Sequence, residues 1–336
     1  MAVTLREVAE KAGVSRSAVS RTFTEGASVS LKTRRKVEKA ALELGYRPNA
    51  LASSLTTGRT KLVGLISNNF HNPIFLEVFD RFTRELQERG LRPLLVNLTD
   101  ETDPRNSLAL LRQYSVDGAI VASSTLPTEF AHAFHEAGMP VVHAFGRFAS
   151  APSVNVVGVD NAECGRMAAR TLIARGYRRL TFLGGPENAT STQDRYAGFA
   201  TEIARHGDVA FRYSFAPAYS FEAGRREMLR LLDQGPPAEA YFCGDDVLSI
   251  GALSALSDRG IQVPGDVGVI GLNDMEMAGW ANINLTTIRQ PIPEIVSAAI
   301  ELMVTSFAAP GRMPESRLFP CRIVERATLR PGTASG

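Results

Sequence analysis

Apolar residues in the first fifty positions recur at helical spacing. Leu5, Val8, Ala9 and Ala12 fall on one face, and Thr4 followed three residues later by Glu7 fits a capping box, so a first helix starts there. Gly13 breaks it. Ser15 is placed to cap a second helix whose apolar side carries Val19 and Phe23, leaving Arg16, Ser17, Ser20 and Arg21 on the other side. A third helix is predicted from about Leu31 to Leu44, with Val37, Ala40, Ala41 and Leu44 inward and Gly45 as its left-handed cap. Two short helices about a glycine turn, closed by a third, make a helix-turn-helix unit.

From Lys61 onward the pattern changes to short apolar runs alternating with amphipathic stretches. LVGLI (62–66), PLLVN (93–97), DGAIVA (117–122), PVVHAF (140–145), LTFLGG (180–185), AYFC (240–243) and VGVIGL (267–272) read as buried parallel strands. Helices are predicted to begin near Pro73, Asp103, Thr128, Asn161, Asp194, Phe221, Asp246 and Pro291. Such repeated βα units imply doubly wound α/β layers, and the remaining length suffices for two lobes.

The 336 residues, 44% hydrophobic and 21% charged, exclude disorder across the chain. No run approaches the roughly 18 apolar residues of a membrane span, and the start MAVTLREVAEKAG lacks the apolar core of a signal peptide. A soluble cytoplasmic protein is expected. Cys164, Cys243 and Cys321 are widely separated without CxxC spacing, so they are expected to be buried small residues, neither a disulfide framework nor a metal site. The net charge of +2 conceals an asymmetry. Residues 1–60 hold 11 Lys+Arg against 5 Asp+Glu, a balance of +6, and the remainder 26 against 30, a balance of −4. The basic end is a candidate nucleic-acid contact, and an acidic body resists coating by a polyanion.

In a helix-turn-helix the second helix enters the major groove and residues near its start reach base edges, which selects Arg16 and Ser17. Arg21, one turn on, reaches a base or a phosphate. Thr4, Ser15, Thr33 and Arg34 are candidates for holding phosphates, which sets register without choosing sequence. The competing reading is a merely solvated basic helix, against which the caps, the glycine turn and the apolar spacing argue together.

TLREVAEKAGVSRSAVSRTF and VSLKTRRKVEKAALELGYRPN resemble the lactose-repressor (LacI) family of bacterial transcription regulators. GVDNAECGRMAARTLIARGYRRLTFLGG, FCGDDVLSIGAL and VIGLNDMEMAGWANINLTTIRQP extend the resemblance over nearly the whole chain, with Tyr177 where the family usually has histidine. The resemblance implies a head at 1–46 and a hinge at 47–60. It implies one lobe from 61–160 with 291–322, and another from 161–290 with 323–332, as in periplasmic sugar-binding proteins. Asn49 to Thr57 would become a hinge helix on operator DNA, with Asn49, Ala52 and Leu55 at the minor groove; a flexible linker is the other reading of this polar, small-residue segment. The implied partners are double-stranded operator DNA, a sugar-like effector between the lobes and a second copy of the chain, in a homodimer or a dimer of dimers.

Ligands of open α/β sheets sit beyond the carboxyl ends of the strands. That rule selects Asn68, Phe70, Phe75, Ser123, Ser124 and Arg147 in the first lobe, and Arg195, Asp245 and Asn273 in the second, with Gln290 at a crossover. The resemblance separately supports Arg195, Asp245, Asn273 and Gln290. Amides, an arginine and a carboxylate facing an aromatic such as Phe70 or Trp280 suit a hydroxyl-rich ring, whose oxygens need partners on leaving water. Against the family's usual Ala-Asn-Asp and Asp-Asp, this chain has Gly244-Asp245-Asp246 and Asn273-Asp274. An amide and a carboxylate have changed places, so effector identity does not carry over. Asp245 and Asn273 each follow a strand and precede a helix, so a capping role is equally open to them.

No complete GxGxxG or GxxxxGK[ST] occurs in strand-to-helix context, and no catalytic triad stands out. His132 and His135 share a helix face without a third ligand at useful spacing. No cofactor and no metal are expected. The sequence reads as a ligand-responsive regulator and not an enzyme. A nucleobase or acidic sugar is the alternative effector, and a sugar-modifying enzyme with a DNA-binding head or a solute-binding protein are the rival classes.

Overall fold

A computed structural model describes residues 3–24, 26–47, 58–98 and 103–332. The expected hinge contacts Asn49, Ala52 and Leu55 lie outside these residues. Two compact units divide at Lys61 and Leu62.

The first unit comprises α1 (Leu5–Ala12), α2 (Arg16–Thr22) and α3 (Leu31–Leu44). Both halves of the capping box form: the Thr4 hydroxyl accepts from the Glu7 amide, and the Glu7 carboxylate accepts from the Thr4 amide at 2.7 Å. Gly13 ends α1 at φ 63°, a left-handed conformation that opens the turn into α2 without the crowding a Cβ would bring. Val8, Ala9, Val19, Val37, Ala40 and Ala41 form the core, and Phe23 and Tyr46 close one side of it with ring centroids 5.8 Å apart.

The second unit holds two six-stranded sheets. The first lobe contains β1 (Leu62–Ser67), α4 (Ile74–Glu88), β2 (Arg92–Asn97), α5 (Pro104–Gln113), β3 (Gly118–Ala122), α6 (Thr128–Glu136), β4 (Val141–Ala144) and β5 (Asn155–Gly158). The second contains α7 (Asn161–Ala174), β6 (Arg179–Gly184), α8 (Thr190–Ile203), β7 (Ala210–Phe215), α9 (Phe221–Asp233), β8 (Ala240–Cys243), α10 (Asp246–Asp258), β9 (Gly268–Asn273) and β10 (Thr287–Arg289). The chain then returns through α11 (Ile292–Ala308), which packs on β3, β4 and β5, and through β11 (Ser316–Leu318), before crossing again to β12 (Arg322–Val324).

The first sheet runs β11-β5-β4-β3-β1-β2, wholly parallel, and the second β12-β10-β9-β8-β6-β7, parallel except for β12. Each lobe is thus α/β and doubly wound, and three short crossovers join them, after β5, after β10 and after β11. All seven anticipated strands form. Five do not show as apolar runs in the sequence, because β5, β10, β11 and β12 have only three or four residues, and β7 exposes most of its side chains at a sheet edge. Helix α8 begins at Thr190, one turn before the expected Asp194. No helix among the described residues is long and apolar enough to cross a membrane.

Two glycines let α7 and α8 approach backbone to backbone. A Cβ on Gly165 would lie 2.1 Å from the Arg195 carbonyl oxygen, and one on Gly198 would lie 1.9 Å from that of Ala162. The Arg195 backbone is thereby held against α7, beneath the carboxyl ends of the second sheet. Tyr177, the departure from the family's histidine, is fully buried; its hydroxyl accepts from the Arg330 amide at 2.9 Å, and the Arg330 guanidinium lies 4.7 Å above its ring. It anchors the last described segment to the second lobe.

Candidate functional site

In the head, α2 presents Arg16, Ser17 and Arg21 to solvent. Ser15 caps the helix by accepting from the Ala18 amide at 3.2 Å, and its hydroxyl also lies 2.9 Å from that of Ser17. The Thr4 hydroxyl donates to Glu7 at 2.8 Å, and Thr33 is bonded to the cap residue Ser30 of α3. Arg34 makes a structural contact that the sequence did not reveal. Its Nη1 donates at 2.9 Å to the carbonyl oxygen of Thr22, in the last turn of α2. That bond satisfies a carbonyl the helix leaves free and ties α2 to α3.

In the body, the carboxyl ends of both sheets converge on a small cavity. Asn69, Asn72, Phe75, Ser124 and Phe145 line it from the first lobe, and Arg195, Tyr219, Asp245 and Asn273 from the second, with Gln290 at the crossover after β10. Asp245 is the junction. One carboxylate oxygen caps α10, accepting from the Val247 amide at 2.8 Å, and the other accepts from Asn273 at 2.7 Å and, across the cleft, from Asn72 at 2.9 Å. One oxygen of Asp245 thus caps a helix while the other faces the cleft. Gln290 donates to the Asn273 side-chain oxygen at 2.5 Å, so a chain of amides leads from the crossover to the carboxylate.

Arg195 donates from Nε to Asn161 at 2.8 Å and from Nη1 to the Gly244 carbonyl at 2.5 Å. Its guanidinium is fixed beside Asp245. Asn273 at φ 123° and Asp274 at φ 60° both lie in the left-handed half of backbone space, a conformation that costs energy at a non-glycine residue. Asp274 is clamped by Arg289 and by Arg326, the latter at 2.6 Å. Burial raises the Asp245 carboxyl above its ordinary range despite the donors around it. The neighbouring Asp246, also wholly buried, is raised to about 7 by burial, even with the Thr287 hydroxyl at 2.5 Å and the Met275 amide at 2.8 Å.

Further bonds cross between the lobes. Arg147 grips Asp194 with Nε and Nη2 at 2.9 and 2.7 Å, and the Ser191 amide and Thr190 hydroxyl both donate to the Ser124 carbonyl. Arg147 thus serves here as a bridge over the cleft mouth. Asn68 and Ser123 bond each other at 2.8 Å beneath the cavity, and Phe70 stacks on Phe79 with centroids 4.7 Å apart. Trp280 stands half exposed at the end of a 3₁₀ turn, outside the lining. Of the expected residues, Phe75, Ser124, Arg195, Asp245, Asn273 and Gln290 are brought together; Asn68, Phe70, Ser123, Arg147 and Trp280 lie off the cavity wall. Asn69, Asn72, Phe145 and Tyr219 line it without having been singled out. The asparagine cluster just after β1 was the available signal for the first two.

With the lobes so drawn together the cavity measures about 20 Å³, room for about one water. A sugar-sized molecule enters only if the lobes part. A larger depression of about 540 Å³ runs along α4 and Met275–Met277, but most of its charged side chains are already paired, Glu77 with Arg81 and Asp80 with Arg84. It offers fewer convergent polar groups than the cleft. His132 faces Glu136 at 3.3 Å, and no cluster of metal-ligating side chains occurs among the described residues.

Comparison with known proteins bears on both units. Residues 4–49 match the model of bacterial regulatory proteins of the lacI family, and residues 169–329 that of a periplasmic binding protein-like domain. The chain is 29% identical to the HTH-type transcriptional repressor CytR of Escherichia coli K12 over 331 residues, covering 98% of this chain and 97% of that one. It is 30% identical to the HTH-type transcriptional repressor PurR of Escherichia coli O139:H28 over 334 residues, with the same coverage. Among solved structures, a lac repressor dimer bound to operator and the anti-inducer ONPF superposes with a TM-score of 0.85 at 25% identity, covering 98% of this chain and all of that one. A complex of the transcriptional regulator CelR with cellobiose superposes with a TM-score of 0.71 at 28% identity, covering 97% and 99%.

Proposed function

The chain belongs to the lacI family of bacterial regulatory proteins, as a ligand-responsive DNA-binding repressor, and on that premise we propose that its effector is a small hydroxyl-rich molecule, a sugar or sugar derivative, bound between the two lobes. The observation that carries this reading is the polar set centred on Asp245: a carboxylate, an arginine and the amides of Asn72, Asn273 and Gln290, walled by Phe75, Phe145 and Tyr219. A ring hydroxyl donating to Asp245 replaces the Asn72 bond and frees that amide to bind a neighbouring ligand oxygen, so each buried polar group keeps a partner. Phe75, Phe145 and Tyr219 supply the apolar face such rings also need. The same three rings support a planar nucleobase as the second reading.

Arg16, Ser17 and Arg21 read bases in this proposal, and Thr4, Ser15, Thr33 and Arg34 hold phosphates. A single recognition helix covers one half-site, which supports a homodimer in the cytoplasm acting on a two-fold operator. Leu76, 73% exposed beside Met277, supplies apolar surface of the kind a second copy would cover. The effector acts by changing the angle between the lobes, and residues 47–60 pass that change to the head.

A thermal-shift screen of the full chain against sugars, sugar acids and purines tests the effector class. A true effector at one hundred times its Kd stabilises by about 2.7 kcal/mol, several degrees for a body of this size. Stabilisation by sugars alone is expected. A shift only with purines selects the nucleobase, and a shift with none of the three sets the proposal aside.

A further inference from the structure

Cys164 and Cys321, 157 residues apart in sequence, bring their sulfurs to 3.5 Å. Cys164 lies buried in the first turn of α7, just after the crossover out of the first lobe. Cys321 lies in the short irregular stretch between β11 of the first sheet and β12 of the second, and it is only half-buried, contrary to the burial expected of all three cysteines. These two crossovers already run side by side, because the Phe319 amide donates to the Gly158 carbonyl at 2.9 Å. Cys243 stands apart in β8, and burial pushes its thiol up to about 12.

We propose that Cys164 and Cys321 are a modification site: a dithiol that peroxide converts to a disulfide, pinning two of the three inter-lobe crossovers to each other. A disulfide needs its sulfurs at about 2.05 Å. The approach of roughly 1.5 Å falls within reach of a side-chain rotation at Cys321, which no helix or strand constrains. The hydrogen bond with Cys321, and after it the Arg195 charge, draw the Cys164 thiol below its ordinary range against the opposing effect of burial, and the thiolate is the form that reacts. The sulfur that meets hydrogen peroxide breaks the O–O bond, takes one oxygen as sulfenic acid and releases hydroxide. The second sulfur then attacks the first and displaces that oxygen as hydroxide, and the protons of the two thiols complete both waters. Two thiols and one peroxide give one disulfide and two waters, each sulfur losing one electron.

The consequence is mechanical. Opening the cleft requires the crossovers to flex, and a covalent link between the segment at 319–321 and α7 opposes that. The Ser191 amide, bonded to the Ser124 carbonyl across the cleft, reports opening directly.

The full chain is treated with hydrogen peroxide at a small excess, and the product is examined by intact mass, thiol titration in denaturant, peptide mapping and amide exchange. The expected result is a loss of about two mass units, titratable thiols falling from three to one, and a peptide joining Cys164 to Cys321. Exchange at Ser191 is expected to slow about tenfold or more, with dithiothreitol restoring it. Cys321→Ser, whose half-exposed site tolerates the change, is expected to show neither the link nor the slowing, and Cys164→Ala serves as the second control. Persistence of three thiols, or sulfinic acid without a link, overturns the site; a link that leaves Ser191 exchange unchanged overturns the lock.

Discussion

Asp245 places two demands on one side chain, and its neighbour Asp246 shows what burial without a cation costs. Asn at 245 keeps one acceptor for the α10 cap but turns a donor toward the amides of Asn72 and Asn273. Asp245→Asn is therefore expected to destabilise the body by about 1–3 kcal/mol and to remove the response to effector, as followed by denaturant unfolding and ligand titration. For Asp246 the sign is set by a carboxyl raised from 3.8 to about 7. Between those values the native state keeps a proton that the unfolded chain has released, so this group's contribution to stability is present at low pH and is lost as pH rises through 7. Asp246→Asn is expected to gain stability over the wild type, by up to a few kcal/mol, at pH 8 and little at pH 4. Urea unfolding at both values checks this, and a difference that does not grow with pH contradicts it. That Asp245 and Asn273 face the cleft was legible in the sequence, because both stand at the carboxyl ends of strands. The splitting of Asp245 between cap and cleft was not, since it depends on which oxygen faces Asn72, 173 residues away.

The elements that position these residues were legible to different degrees. Caps and apolar spacing marked α1 at both ends, the start of α2 and the end of α3, because a short helix must satisfy its terminal groups locally. The three-residue strands β10, β11 and β12 had no such signature; pairing across the sheet defines them, and no local pattern does. The contact of α7 with α8 depends on two glycines whose role emerges only in three dimensions. Gly198→Ala drives a methyl into the Ala162 carbonyl, and a loss of about 2–4 kcal/mol is expected, measurable as a lowered Tm with weakened effector binding through Arg195. In the head, Arg34→Ala breaks the bond to the Thr22 carbonyl. Lowered helicity and thermal stability of the head are expected alongside weaker DNA binding, by about 1–2 kcal/mol. A variant that loses DNA affinity with unchanged stability would return Arg34 to a purely phosphate-holding role.

At the scale of the whole molecule, the charge asymmetry and the change of period near residue 60 already separated a basic helical head from an acidic α/β body. The division into two sheets was legible only through resemblance, since each sheet draws its last strand from the far end of the chain. The bond from Asn72 to Asp245 and the bridge from Arg147 to Asp194 join the two lobes without any mark in sequence spacing, because the crossovers bring together what the chain order separates. The central claim is that a ligand held at Asp245 controls affinity for DNA elsewhere in the chain. Its most direct test is an equilibrium titration, by fluorescence anisotropy, of an operator selected from random duplexes, with and without the sugar that most stabilises the protein, in the wild type and in Asp245→Asn. A change in operator affinity of about fivefold or more in the wild type, absent in the variant, is the expected result. An operator affinity indifferent to the ligand in the wild type, or shifted equally in both proteins, would contradict it.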